Sequence, residues 1–181
     1  MTLHDTRQNF GWMSVVTHWS VAVLIIALLA SGPVIAALPD GAARSALIHV
    51  HKEAGIIAIL LTLWRIAWHS LEPETQPATA MERWEARGRH AMHVFLVVGS
   101  LAVDLSGVVM SLYHGHDVPV LMAFALPAQA EIAAIAVPAR FVHGIGGDLL
   151  MIAVAFHAAA ALKHHFIDRD RTFVRMLGKE A

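Results

Sequence analysis

Four long apolar segments constrain this chain more than any other feature. They occupy about residues 13–37, 46–68, 88–112 and 140–166, and each is as long as the roughly 20 residues that a helix needs to cross a bilayer. In lipid, backbone polar groups must be satisfied within the protein, which favours helices. Hydrophobic residues make up 57% of the chain, against about 45–50% in soluble domains. The sequence therefore predicts an all-α integral membrane four-helix bundle, with a single domain over residues 1–181.

The segment 113–139 between helices 3 and 4 is the ambiguous part of this plan. It is apolar enough to suggest a fifth span. Pro119, Pro127 and Pro138 argue against one, because each removes a backbone donor that lipid cannot replace. We predict instead a periplasmic connector cap, partly helical and lying at the membrane interface.

The distribution of basic residues supports four spans. With four, one side of the membrane receives all 13 lysines and arginines except Arg44, Lys52 and Arg140. The positive-inside rule then places both termini in the cytoplasm. A fifth span would export the basic C-terminal tail. We expect the first helix to remain as a membrane span, since no cleavage-site pattern is clear.

Composition excludes several classes of function. The chain has no cysteine, which excludes disulfides, iron–sulfur clusters and covalently attached c-type haem. The net charge of −1 indicates no polyanionic partner. Histidine is the unusual residue, with 13 copies. Polar groups in lipid are costly, so histidines within spans point to function.

His143 and His157 lie in the fourth segment, 14 residues apart. At about 100° per residue they lie on nearly the same helix face, and at 1.5 Å per residue about 21 Å apart along the axis. Glycines near the first and alanines after the second let a bulky planar group or a neighbouring helix approach the backbone. One helix thus presents two imidazoles, one near each membrane surface, as two stacked redox centres would require.

The other histidines sort into the same two layers. Near the periplasmic surface we place His49, His51 and His143, and near the cytoplasmic surface His18, His90, His93, His157, His164 and His165. Two layers with histidines from at least two helices fit two bis-histidine haems held in a bundle. His49 and His51 remain alternatives at this point, because they differ by about 200° around the helix and only one can face a haem.

Several motifs resemble those of the bacterial cytochrome b561 family of compact di-haem membrane proteins. They are THW at 17–19, HKEAG at 51–55, VHG at 142–144 and FHAAAALKHHFIDRDRTFVRML at 156–177. The resemblance covers nearly the whole chain and is strongest to the superoxide oxidase branch, which takes electrons from superoxide and passes them to ubiquinone. It implies a multi-pass protein of the bacterial inner membrane that binds two haem b groups.

The resemblance also implies the haem ligands. The family pairs helices 1 and 4 for the cytoplasmic haem and helices 2 and 4 for the periplasmic one. Carried over, these pairs are His18 with His157 and His51 with His143. The family's HxxxG pattern begins at His51 and not at His49, and a glycine one turn later would leave room for the macrocycle.

Further residues are expected to contact the haems, superoxide or ubiquinone. Arg65 is expected to pair with propionates of the cytoplasmic haem or with the substrate site beside it. Lys52 and Arg140 are our candidate catalytic residues, which guide superoxide towards the periplasmic haem. His93 and His164 are candidate quinone-binding residues, since imidazole can donate both a hydrogen bond and a proton near neutral pH.

Alternatives remain open on the residues alone. The reverse direction, from quinol to a periplasmic acceptor, is chemically equal. The chain could be a haem-containing membrane anchor that passes electrons between a partner dehydrogenase and quinone. A histidine-rich metal transporter is a remote alternative, because transport ligands would cluster at one depth together with carboxylates.

Overall fold

The computed structural model describes residues 2–79 and 82–178. Its long helices are α1 (Trp12–Ala37), α2 (Ala42–Leu71), α3 (Arg83–Tyr113) and α4 (Ala133–Phe166), and its short elements are β1 (Val118–Val120), β2 (Phe124–Leu126) and α5 (Thr172–Arg175). The four long helices are each long and apolar enough to cross a membrane. This confirms the predicted all-α membrane bundle.

The helices pack as a ring in which each long helix contacts the next and α4 returns to α1. The core lies midway along the bundle and consists of Ile25, Leu28, Ala58, Val103 and Leu150. Large apolar side chains on the outside are mostly exposed, including Val137, Phe141, Phe156 and Phe166. A continuous apolar exterior of this kind is suited to lipid.

The connector is partly helical, as predicted, but it also contains a β-hairpin that the sequence did not predict. Strands β1 and β2 form an antiparallel hairpin in which Val118 pairs with Leu126 and Val120 with Phe124. Only its last part is helical, because α4 begins at Ala133 and not at the predicted residue 140. Pro138 lies in the second turn of α4, where its fixed φ is compatible with a helix but it cannot donate a hydrogen bond to the carbonyl oxygen of Ala134.

The opposite end of the bundle gathers both ends of the described chain, and we call it the termini end. Trp19 Nε1 on α1 donates a hydrogen bond to the carbonyl oxygen of Met176 at 2.7 Å. Arg175 Nη1 on α5 donates to the carbonyl oxygen of Gln76 at 2.9 Å. These contacts join the C-terminal segment to α1 and to the loop after α2. The other end, which carries the β-hairpin, is called the hairpin end.

Glu72 fastens the N-terminal tail at the termini end. His4 Nδ1 lies 2.7 Å from its Oε1, and the Asp5 N–H donates to its Oε2 at 2.6 Å. The pKa of Glu72 is lowered, chiefly by the hydrogen bond from His4; burial opposes this and the Asp5 N–H adds to it. A carboxylate with a lowered pKa stabilises the fold above its ordinary pKa of 4.5, and that stability is lost as pH falls through the folded value.

We therefore expect the tail to detach in acid. Hydrogen–deuterium exchange, corrected for intrinsic rates, should show protection of residues 2–11 at pH 6 that falls progressively below pH 4.5. In Glu72→Gln this titration is absent, so the protection of the tail should no longer change over the same range. Equal protection of the parent tail at pH 3 and pH 6 would contradict the role given to Glu72.

Candidate functional site

The structure brings together both histidine pairs that the sequence predicts. At the hairpin end, the ring centroids of His51 and His143 are 6.1 Å apart, with an interplanar angle of 83°. At the termini end, those of His18 and His157 are 6.4 Å apart, with an angle of 63°. His49, the rival of His51, is exposed. The two pairs therefore lie at two levels along the bundle.

These separations fit bis-histidine haem binding. Two imidazoles on opposite sides of one metal have their centroids about 6 Å apart, given metal–nitrogen bonds of about 2 Å. Both pairs match this distance without any helix movement. The donor set is also suitable, because low-spin haem takes imidazoles from facing helices.

Hydrogen bonds to Nδ1 hold both rings at the hairpin end. His143 Nδ1 lies 2.8 Å from the carbonyl oxygen of Val103, and a carbonyl can only accept. His51 Nδ1 lies 2.7 Å from Ser31 Oγ, whose single proton is donated to the carbonyl oxygen of Leu28 at 2.8 Å. His143 must therefore carry a proton on Nδ1, and donation from Ser31 to Leu28 favours the same tautomer for His51, which leaves Nε2 of both rings free to bind a metal.

Glycines provide the space around these two rings. A Cβ added at Gly107 would lie 2.8 Å from Cε1 of His143, so any side chain on α3 at that position would displace the ring. A Cβ added at Gly55, one turn after His51, would meet no atom within 4 Å. The open side of α2 agrees with the expectation that Gly55 leaves room for a macrocycle.

Sequence reasoning missed Ser31, Gly107 and the carbonyl oxygen of Val103. A hydroxyl inside an apolar helix is a usable signal, because polar groups in lipid need partners. The partner of Ser31 lies on another helix, however, so the packing of α1 against α2 was needed to identify it.

Ser31→Ala is expected to leave His51 in place but to remove the acceptor for its Nδ1 proton. An imidazole that loses this hydrogen bond becomes a weaker electron donor to iron. The midpoint potential of one haem should rise while the other stays unchanged. Ser31→Thr, which keeps the hydroxyl, should restore the potential. Unchanged potentials for both haems in Ser31→Ala would show that the hydrogen bond has no influence on ligation.

Three histidines, and not two, meet at the termini end. The His93 ring on α3 lies 5.3 Å from that of His157, closer than the 6.4 Å between His18 and His157. Arg65 on α2 lies within electrostatic range of all three rings. Since one iron takes two imidazoles, this cluster provides one histidine beyond the haem requirement.

His164, the other predicted quinone residue, has carboxylate partners instead. Its Nδ1 lies 2.7 Å from an oxygen of Asp170 and 3.2 Å from one of Asp168. These bonds tie the end of α4 to the segment that leads into α5. His164 thus has a local structural role in addition to any that it has towards quinone.

The residues predicted to guide superoxide differ in their surroundings. Lys52 Nζ donates to the carbonyl oxygen of Asp117 at 2.9 Å, so the hairpin engages its ammonium group. Arg140 on α4 is exposed one turn before His143, and among the described residues no hydrogen bond or ion pair is found for it. Arg44, a further basic residue at this end, pairs with Asp40. Arg140 is therefore the most available cation near the His51–His143 pair.

Comparison with known proteins agrees with this geometry. The family model described as prokaryotic cytochrome b561 matches residues 9–179. Cytochrome b561 homolog 2 of Escherichia coli (strain K12) is 29% identical over 184 residues, covering 100% of this chain and 97% of that protein. Cytochrome b561 homolog 1 of the same organism is 24% identical over 170 residues, covering 93% and 97%. The chain therefore belongs to the prokaryotic cytochrome b561 family of haem b membrane electron-transfer proteins.

Proposed function

We propose that this protein oxidises superoxide at the hairpin end, on the periplasmic side of the bacterial inner membrane, and reduces ubiquinone at the termini end. The observation that carries the proposal is the presence of two histidine pairs, each at the spacing of a bis-histidine haem, at two levels of one membrane bundle. Electron transfer across the membrane needs two redox centres at different depths. Histidines with a purely structural role would not need this arrangement.

The chain's own residues would hold two haem b groups. His51 and His143 would ligate one, and His18 and His157 the other. Arg65, close to the second pair, would face anionic propionates. When bound, each haem supplies a one-electron iron couple. The protein sets the spacing of the two histidine levels, about 21 Å along α4, and would hold the imidazoles that bind the haems.

His93 supports quinone chemistry at the termini end. It lies beside His157 and is left over once His18 and His157 are assigned to iron. Reduction of a quinone adds protons to its two carbonyl oxygens, so the site needs a donor that can be reprotonated. Imidazole meets this need near neutral pH, and the guanidinium of Arg65 can stabilise developing negative charge on the quinone oxygen.

The donor side supports a small anion. Arg140 is exposed next to the ligand level, and Lys52 directly follows His51 in α2. Cations at the mouth of a site raise the encounter rate of an anion, and salt screens this effect. The bond from Lys52 to the hairpin leaves Arg140 as the stronger contributor.

Stopped-flow mixing of the oxidised protein with superoxide tests the proposal. The rate of haem reduction should fall as ionic strength rises. It should fall several-fold in Arg140→Gln at low salt and less in Lys52→Gln. Arg44→Gln, whose side chain is already paired with Asp40, is the matched control and should react like the parent. Superoxide also disappears by its own dismutation. Haem reduction that is too slow to compete with this loss would reject superoxide as the donor.

One observation favours a second function, a conduit for a partner dehydrogenase. The Lys52 ammonium is engaged by the Asp117 carbonyl oxygen, which weakens the cationic entry that superoxide would use. A partner protein would deliver electrons without such an entry. A protein that ignores superoxide but reduces ubiquinone after chemical reduction would support this alternative.

A further inference from the structure

The β-hairpin is fastened to the bundle by the two charged residues that follow His51. Lys52 Nζ donates to the carbonyl oxygen of Asp117 at 2.9 Å. Glu53 Oε1 accepts the backbone N–H of Met122 at 3.1 Å. The hairpin therefore lies beside α2, level with these residues, and does not merely cover the end of the bundle.

This level lies at the start of the apolar part of α2. Helix α2 has 30 residues, about 45 Å at 1.5 Å per residue, whereas the hydrocarbon core is about 30 Å thick, so only part of α2 lies in lipid. The charged residues of its first half end at Glu53, and a mostly apolar run from Ala54 to Trp64 follows. Glu53 therefore falls near the boundary of the apolar layer. Its carboxylate and the Lys52 ammonium need partners at that depth, and the hairpin backbone provides them.

The tip of the hairpin is unusual for a turn that faces water. The Ala123 N–H donates to the carbonyl oxygen of Val120 at 3.0 Å, and the two residues between them, Leu121 and Met122, have φ values of 52° and 53°. Two consecutive positive φ values are typical of a type I′ turn, where asparagine and glycine are preferred. Leucine and methionine are strained there, so the turn needs a compensating gain in stability elsewhere.

The exposure of their side chains indicates the source of that gain in stability. Met122 is 93% exposed and Phe124 is 61% exposed, while Leu121 is also exposed. These three residues form an apolar tip beside helices whose outer surfaces are equally apolar. We propose that this tip, Leu121, Met122 and Phe124, inserts into the adjacent lipid leaflet, and that Glu53 holds it there. Insertion removes apolar surface from water and so opposes the strain of the turn.

The absence of cysteine from the chain allows a direct test. Met122→Cys in haem-loaded protein reconstituted into phosphatidylcholine vesicles is treated with a charged, water-soluble thiol reagent, and modification is followed by mass. A thiol in lipid is poorly ionised and reacts slowly. We expect it to react at least about tenfold more slowly than Ala130→Cys, an exposed control between the hairpin and α4. Ile152→Cys, on the apolar outer surface of α4, is the slow control.

Variants at Glu53 test the attachment. Combined with Met122→Cys, Glu53→Ala removes the acceptor for the Met122 N–H and should raise the reaction rate towards that of Ala130→Cys. Glu53→Gln keeps an acceptor oxygen and should leave the rate slow. A Met122→Cys rate equal to that of Ala130→Cys would overturn the proposal and place the tip in water, where it could dock a protein. Haem ligation is independent of this lipid contact, so such a result would leave the proposed function standing.

Discussion

His143→Ala and His157→Ala are each expected to bind one haem fewer than the parent protein, and each should lose a different haem. Each residue is half of a pair whose rings are at bis-histidine spacing, 6.1 Å for His51–His143 and 6.4 Å for His18–His157. Removal of one axial imidazole leaves the iron with a single protein ligand, and alanine offers no replacement. Pyridine haemochrome counts per polypeptide and redox titration of the remaining haem would check the result.

Two further variants serve as controls for the hairpin end. His51→Ala should lose the same haem as His143→Ala, because the two rings face each other. His49→Ala should retain both haems, since His49 is exposed. Two haems in both His143→Ala and His157→Ala would refute the ligand assignment.

His93→Phe is expected to retain both haem spectra and to slow the oxidation of the reduced haems by ubiquinone by about 10²-fold. A positioned acid or base contributes roughly 10² to 10⁴ in rate, and phenylalanine keeps the ring's volume while removing both nitrogens. The experiment is stopped-flow mixing of the reduced protein with a soluble ubiquinone. Oxidation by a small inorganic oxidant, which needs no proton, should be unchanged.

His18→Phe tests whether His18 or His93 is the haem ligand that is paired with His157. If His18 is the ligand, this variant loses a haem and His93→Phe does not. The opposite result would mean that His93, whose ring is the nearer at 5.3 Å, ligates iron and His18 is the spare. Full quinone rates in His93→Phe with both haems present would exclude His93 from the quinone site. His164→Phe gives a comparison, because His164 is bonded to Asp170 and should affect quinone less.

The sequence alone determined the spans and the two histidine levels. Both depend on local regularities, the length of an apolar segment and the 3.6-residue period, which hold whatever the neighbours are. The preference for His51 over His49 came from a motif, and the structure places the ring of His51 against that of His143. The starting residue of α4 was wrong because we took Pro138 to lie in the connector, whereas α4 begins at Ala133 and includes this proline.

Only the tertiary structure decided how the rings are held and what covers them. The role of Ser31 depends on a contact with His51 across 20 residues, and that of Val103 on a contact with His143 across 40. The backbone of the hairpin segment is bound by Lys52 and Glu53 on α2. The sequence suggested Lys52 only as an entry for an anion and gave Glu53 no role. Contacts between helices depend on which helix faces meet. In a membrane protein the faces that meet lipid and the faces that meet other helices are both apolar, so the sequence does not distinguish them well.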